Sequence, residues 1–391
     1  MKVFREAEKI KLFQGVNNIL VIKLRHIGDV LLTVPAIRAL RESFPHARLS
    51  ALVNSGTEDM LTLNPLVDEV ISFKRSIKGL HIGRRVSGEL KLIKDLRGKK
   101  FDLTVDLTGG DRPAFIAFSI GAKYRLGYVP RRGFAGKRLL YTHLAKRPSI
   151  KTHTVLRDLG LLREFGIDTK DFTVDIHTSP ADDASIDKAL KEAGYDGGSF
   201  AHVHPTSRWL FKCWTDTGMA YVLDMLEDSG VRVVLTSGPD EKERKKIASI
   251  VSLMRTRPVD LSGKITLKQL ASLSKRASFF FGVDTAPMHI AAAVGARVVS
   301  IFGPSGAFDW GPWDNKEANG WALKAENNGW NSPYTQKGGV QRFGKNMVIQ
   351  MDWDCVPCGK AGCEGTGVCR CLEDLDAESV WNIVKGMISG C

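Results

Sequence analysis

The chain has 391 residues, 43% of them apolar and 25% charged, and carries a net charge of +13. That length exceeds one ordinary core and suggests two domains, and the composition excludes a disordered or fibrous chain. No apolar run approaches the roughly 18 residues that a spanning helix needs, and "AFIAFSIGA" (114–122) is the longest candidate. The stretch "MKVFREAEKIKLF" lacks the apolar region and small-residue cleavage site of a secretory signal, so a cytoplasmic location is expected.

In chain order, "NNILVIKL" (17–24) is a continuous apolar run bounded by polar residues, as for a strand buried on both faces. "RHIGD" turns, and "VLLTVPAIRALRESF" carries helical periodicity. The alternation continues through "RLSALV" (48–53), "EVISF" (69–73), a basic amphipathic helix near 86–98 and "FDLTVDL" (101–107). After a polar linker near 170–182 a second series begins. It has "SFAHVH" (199–204), a helix near 215–229, "VRVVLTSG" (231–238), a charged helix from 239, "ASFFFGV" (277–283), a helix from 285 and "ARVVSIFG" (296–303). The tail beyond 305 has little periodicity and closes with a helix at 376–387. Strand and helix alternating in this way predict two open parallel α/β domains, 1–175 and 176–391, whose ligands bind at the carboxyl ends of the strands.

The positive charge is uneven. Residues 1–177 contain 32 Lys and Arg against 18 Asp and Glu, and the remainder of the chain is near neutral. A basic domain of this kind points to an anionic partner: nucleic acid, a membrane surface or a phosphorylated substrate. The plainer alternative is a surface kept soluble by its cations.

Four strand-to-loop junctions carry candidate chemistry. In "RHIGDVLLTVP" (25–35), Gly28 permits a sharp turn and Asp29 is either a helix N-cap or a general base, the cap being favoured on local chemistry. In "HPTSRWLFKCW" (204–214), Thr206, Ser207, Arg208 and Lys212 follow a buried strand and suit a diphosphate. In "LTSGPDEKER" (235–244), Asp240 or Glu241 could take a ribose diol, or simply form the acidic first turn of a helix. In "FGVDTAPMHIAAAVGA" (281–296), Asp284 and Thr285 are expected to cap a helix that begins Ala286–Pro287. Its free N–H groups would attract an anion, and His289 is either part of that site or a core residue.

Taken together, "IKLRHIGDVLLTVPAIRALRESFPHARL", "HPTSRWLFKCW", "VVLTSGP" and "FGVDTAPMHIAAAVGARVVSIFGPS" resemble the lipopolysaccharide heptosyltransferases of glycosyltransferase family 9, over about residues 17–306. The loop 205–214 with "LTSGP" is most similar to the type III (Q-type) branch, which adds a side-branch heptose. The resemblance implies the GT-B fold, two Rossmann-like domains facing across a cleft, with the acceptor on the N-terminal one and the nucleotide sugar on the C-terminal one. It implies an inverting transfer of L-glycero-D-manno-heptose from ADP-heptose to the inner core of nascent lipopolysaccharide.

Under that resemblance Asp29 is the base and Lys212 stabilises the leaving ADP. Thr206, Ser207, Arg208, Asp284, Thr285, Ala286, Pro287 and His289 surround the phosphates, Asp240 or Glu241 the ribose, and Ile265 the adenine. Gly28, Arg125, Arg131 and Arg132, with Lys74 and Arg75, are candidates for the anionic acceptor. The resemblance requires no metal, although Mg²⁺ could assist. It implies a monomer bound peripherally to the inner membrane.

Type I or II acceptor specificity, or another ADP-sugar, are the nearest alternatives. An NAD-dependent oxidoreductase would need G-x-G-x-x-G after the first strand, where "RHIGDV" has one Gly. A nucleic-acid binder would want aromatics among the cations, whereas most Trp lie in the near-neutral half. Five cysteines fall in "CVPCGKAGCEGTGVCRC" (355–371), and Cys213 and Cys391 stand apart. Zinc or an iron–sulfur cluster there is a minor expectation, since Cys369 and Cys371 lack knuckle spacing and such tails recur in the resembled family without an established metal role.

Overall fold

The computed structural model describes residues 12–74, 82–148, 151–328 and 331–388. It divides into two compact units, 1–177 and 178–391.

The N-terminal unit is a six-stranded parallel sheet in the order β3-β2-β1-β4-β5-β6. Its elements run β1 (Asn18–Lys23), α1 (Ile27–Leu31), α2 (Val34–Ser43), β2 (Arg48–Asn54), β3 (Glu69–Phe73), α3 (Ile82–Gly98) and β4 (Leu103–Asp106). They continue with α4 (Asp111–Ser119), β5 (Tyr124–Tyr128), β6 (His143–Ala145) and α5 (Thr154–Arg163). β1 is buried almost throughout, as its unbroken apolar run requires of a central parallel strand. The strand order reverses between β1 and β4, so loops leaving their carboxyl ends diverge to opposite faces and leave a crevice there. The polar stretch after α5 is fastened to this unit: Asp175 accepts from Arg38 at 2.7 Å and from Asn64 Nδ2 at 2.7 Å.

The C-terminal unit opens with α6 (Pro180–Glu192), started by a capping box between Ser179 and Asp182. Then follow β7 (Phe200–His204), α7 (Asp216–Asp228), β8 (Arg232–Leu235), α8 (Glu241–Leu253), β9 (Val259–Asp260), α9 (Leu267–Arg276), β10 (Phe279–Val283), α10 (Ala286–Ala293) and β11 (Val298–Ile301). The seven-stranded sheet has the order β12-β13-β11-β10-β7-β8-β9, with β12 (Gln341–Phe343) antiparallel to β13 (Asn346–Ile349). Its reversal point lies between β7 and β10, where His204 is paired with Gly282. A Cβ at Gly282 would lie 2.5 Å from the His204 carbonyl, so only glycine lets the two strands approach this closely.

The tail beyond 305 contains more regular structure than its patterning suggests: α11 (Ala307–Trp310), α12 (Asn315–Asn328), β12 and β13 extend the sheet. Trp313 packs its ring 5.6 Å from Phe343, and Tyr334 donates to the Pro312 carbonyl at 2.7 Å. The last helices are α13 (Arg370–Glu373) and α14 (Ala377–Lys385). α14 packs on α7 and puts Val380, Trp381 and Val384 into the main core.

Candidate functional site

In the C-terminal unit the loop after β7 and the loop after β10 leave adjacent strand ends at the reversal point. Lys212, in a 3₁₀ turn (Leu210–Lys212), donates from Nζ to Asp284 Oδ2 at 2.6 Å. Asp284 is 5% exposed and Lys212 22%, so the pair has its acid end inside and its cation toward solvent. Thr285, not Asp284, is the N-cap of α10, and its side chain makes no capping hydrogen bond. Pro287 follows in the first turn and removes a donor that would otherwise be unsatisfied. The helix start is therefore left open to an anion beside a cation. Pro287 and His289 are buried, whereas Thr285 and Ala286 are partly accessible.

Thr206 and Ser207 are placed differently from a simple phosphate cradle. Thr206 is fully buried and its hydroxyl donates to Glu243 Oε2 at 2.7 Å, while Ser207 Oγ accepts from the Trp209 backbone at 3.3 Å. Glu243 was missed in the sequence, where the acidic pair before it drew attention. Asp240 is the exposed N-cap of α8, accepting from Lys242 N at 2.9 Å, and Glu241 pairs with Lys245 at 2.8 Å. Glu243 alone among the three turns inward. It also accepts from Gly238 N at 3.1 Å and so ties the β7 and β8 loops together. A Cβ at Gly238 would stand 2.6 Å from that carboxylate. The available signal was spacing: Glu243 lies one turn beyond the cap, on the face turned back toward the loop.

The loop after β9 joins these two. Gly263 N donates to the Ser237 carbonyl at 3.1 Å, and Ile265, half-buried, packs on the small cluster that includes Val234 and Leu261. Trp214 is a core residue bonded to the Leu375 carbonyl at 3.2 Å. Trp209 is exposed, with the Arg208 guanidinium 5.9 Å from its ring. Burial pushes the Cys213 thiol up to about 11, which leaves it inert.

In the N-terminal unit Asp29 lies within α1, whose N-cap is His26, so the local expectation of an Asp29 cap is corrected. Asp29 is partly accessible and makes no hydrogen bond or salt bridge among the described residues. The turn before it is held from both sides: Asn54 donates to the Arg25 carbonyl at 2.8 Å, and Leu24 N donates to Thr108 Oγ1 at 2.8 Å. Two buried carboxylates lie nearby that strand-by-strand reading passed over. Asp158 pairs with Lys23, the last residue of β1, and both are almost wholly buried. Burial raises the Asp158 carboxyl pKa, and the Asp29 charge adds to that rise. Asp106, ending β4, accepts from Tyr141 at 2.6 Å and from Thr108 N at 2.8 Å, and shapes the turn before α4.

Among the acceptor candidates, Arg125 donates to the Leu140 and Ala122 carbonyls at 2.8 and 2.7 Å, which makes it a brace of the fold. Arg131, Arg132 and Lys74 are exposed, Gly28 is buried, and Arg75 lies outside the described residues. Arg131 and Arg132 line a shallow cavity of about 230 Å³ with Pro130, Phe134 and Lys137. In the Cys-rich segment Cys355 and Cys358 are exposed and Cys369 and Cys371 buried, and Cys391 is outside the described residues. Burial pushes Cys371 up to about 12. Among the described residues no three His, Cys, Asp or Glu side chains form a metal-binding set.

Residues 89–333 match the model of glycosyltransferase family 9 (heptosyltransferase). The lipopolysaccharide heptosyltransferase 3 of Escherichia coli is 33% identical over 301 residues, 76% of this chain and 87% of the relative. The chain belongs to glycosyltransferase family 9. As a family 9 glycosyltransferase it also shares its architecture with solved members. A glycosyl transferase family 9 structure from Veillonella parvula superposes with a TM-score of 0.75 at 20% identity, covering 96% of this chain and 98% of that one. An E. coli heptosyltransferase solved with ADP superposes with a TM-score of 0.67 at 18% identity, covering 95% and 99%. The fold is thus GT-B, as the resemblance implies, and the enzyme moves a glycosyl group. Among the described residues no helix is long and apolar enough to cross a membrane.

Proposed function

We propose that this family 9 enzyme transfers heptose from ADP-heptose to the inner core of nascent lipopolysaccharide, with inversion at the anomeric carbon. The observation that carries the donor half is the Lys212–Asp284 pair beside the uncapped start of α10, at the reversal point of the C-terminal sheet. The negative charge that grows on the leaving diphosphate would be met by the Lys212 ammonium and by backbone N–H groups at the start of α10. Arg208 is an accessible second cation. Asp284 would hold Lys212 in place until the diphosphate competes for it. Thr206 and Ser207 contribute through the loop backbone, since the Thr206 hydroxyl is committed to Glu243. Asp240, exposed at the α8 cap, and the half-buried Ile265 are the proposed ribose and adenine contacts.

Asp29 would take the proton of the acceptor hydroxyl as it attacks. Its accessible carboxylate, without a hydrogen-bond or salt-bridge partner among the described residues, supports that role. Exposed Arg131, Arg132 and Lys74 suit the carboxylates and phosphates of such an acceptor. We assign no resident metal to the transfer, because cations and helix donors already face the proposed diphosphate position. The enzyme would work as a monomer on the cytoplasmic face of the inner membrane.

The deciding experiment offers a panel of ADP-sugars and stepwise-truncated core acceptors and identifies products by mass. Heptose transferred to an inner-core acceptor is the expected result. Transfer of a different sugar, or to a heptose-free acceptor alone, would replace the type III reading with another family 9 specificity.

A further inference from the structure

Helix α4 and the loop after β5 form a surface whose composition is unusual for a solvated face. On α4, Phe115 and Phe118 are 55% and 48% exposed and three residues apart, so they share one helix face. The loop 129–140 adds Phe134, 48% exposed, and Leu139, 80% exposed. The two segments are one surface. α4 packs on the 3₁₀ turn Lys137–Leu140, and Lys137 bridges Asp111 at 3.0 Å and the Gly109 carbonyl at 3.0 Å. Arg125 joins them too, its guanidinium lying 5.6 Å from the Phe118 ring while it donates to the Leu140 carbonyl.

Charge follows the same surface. Between residues 111 and 140 the chain has seven Lys and Arg and a single acid, Asp111, which Lys137 already neutralises. Arg131, Arg132 and Arg138 are exposed beside Phe134 and Leu139. Large apolar side chains standing in water cost free energy unless something covers them, and here they alternate with cations. That combination matches the headgroup–acyl boundary of an anionic bilayer, where rings and aliphatic tips enter the apolar layer and cations meet phosphates. A nucleic-acid strand would use the cations and stack on aromatics, but it gives no partner to Leu139, the most exposed of the four.

We propose that the surface formed by Phe115, Phe118, Phe134 and Leu139, with Arg131, Arg132 and Arg138 around them, docks this enzyme on an anionic lipid bilayer. This deepens the membrane part of the proposed function. It would bring the acceptor-binding unit to the lipid from which a membrane-anchored acceptor projects, while the catalytic groups remain on other loops.

The test is co-sedimentation of the full chain with vesicles of phosphatidylethanolamine and phosphatidylglycerol, free of lipopolysaccharide, against vesicles of phosphatidylcholine. Binding to the anionic vesicles is expected, weakened by salt. The triple variant F115S/F118S/L139S should partition at least about tenfold less. An L253S control, altering a 50% exposed leucine of the C-terminal unit, should bind as the parent does. Transfer to a soluble, delipidated acceptor should be unchanged in the triple variant, which separates docking from the transfer reading. Equal vesicle binding by the triple variant and the parent would overturn the proposal. So would binding that needs lipopolysaccharide in the vesicle, preferential retention on polyuridylate, or a self-associated parent that the triple variant makes monomeric.

Discussion

Replacing Lys212 by Ala tests the donor site most directly. In the free enzyme the change strips the cation from Asp284, which is 5% exposed and bonded to Lys212 at 2.6 Å. Removing one partner of a fully buried pair costs about 3–5 kcal/mol. Here Lys212 is 22% exposed, and Asp284 sits just before the start of α10, where the helix dipole favours an anion, so about 1–3 kcal/mol is expected. For a unit of this size that is a loss of several degrees in Tm, at roughly 2–4 °C per kcal/mol. The effect on chemistry should be larger. Loss of one preorganised charge donor to the leaving group lowers turnover about 10²–10³-fold. A coupled assay of ADP release at saturating donor and acceptor, run beside calorimetry, separates the two effects. The double variant K212A/D284N should recover most of the stability and none of the turnover, because it removes the uncompensated acid without returning the cation. A folded K212A that turns over within about threefold of the parent would refute the leaving-group role.

Asp29→Ala should fold normally, since the side chain makes no hydrogen bond or salt bridge among the described residues, and should lose about 10²–10⁴-fold in turnover with ADP affinity retained by calorimetric titration. Near-normal turnover would reassign the base. Glu243→Gln keeps an acceptor for Thr206 and Gly238 but removes its charge. It should cost about 1–2 kcal/mol and raise the donor KM more than it lowers kcat, both read from steady-state kinetics and thermal melts. Acid should unfold the C-terminal unit early. Burial holds His204 down to about 3 and His202 well below its ordinary value, so both stay neutral in the folded state while the unfolded chain protonates them below about pH 6.5. Stability is therefore full above that pH. It falls as pH drops toward 3, by up to about 1.4 kcal/mol per pH unit for each histidine. All eight tryptophans lie in this unit, so tryptophan fluorescence follows it, and the variant H202N/H204N should flatten the slope.

The parts of the fold that were legible in the sequence are those where burial is uniform along an element. β1, β7 and β10 are buried almost from end to end because a central parallel strand is covered on both faces, and the apolar residues that dominate them mark them in the sequence. The tail was not legible, because its order comes from rings meeting across distance. Trp313, Trp321, Phe343 and Tyr334 are spread over 313–343 with neither helical nor strand period, yet their rings lie about 6 Å apart. At the site the motif residues Lys212 and Asp284 were legible as types, but not their mutual bond, which depends on β7 and β10 being neighbours. Glu243 was hidden because three acids in four residues look alike in sequence. Only the phase of α8 decides which one faces the loop.

The sites proposed for the two units rest on one topology used with opposite charge. Each sheet reverses beside its first strand, β1 with β4 and β7 with β10, so each gathers two loops at one strand end. In the C-terminal unit those loops bring a cation and an uncapped helix start, which suit a leaving diphosphate. In the N-terminal unit the first loop brings an accessible carboxylate, and the nearby buried pair Lys23–Asp158 is already neutral. In the proposed mechanism Asp29 is the base, and Lys23 compensates its buried acidic neighbour Asp158. Removing Lys23 would bury an unpaired acid, or protonate it, close to Asp29. Seven of the cations of this unit lie between residues 111 and 140, the segment that carries the α4 and 129–140 surface. A positive charge of +14 on the N-terminal unit thus coexists with the accessible Asp29 carboxylate that the proposed reaction uses.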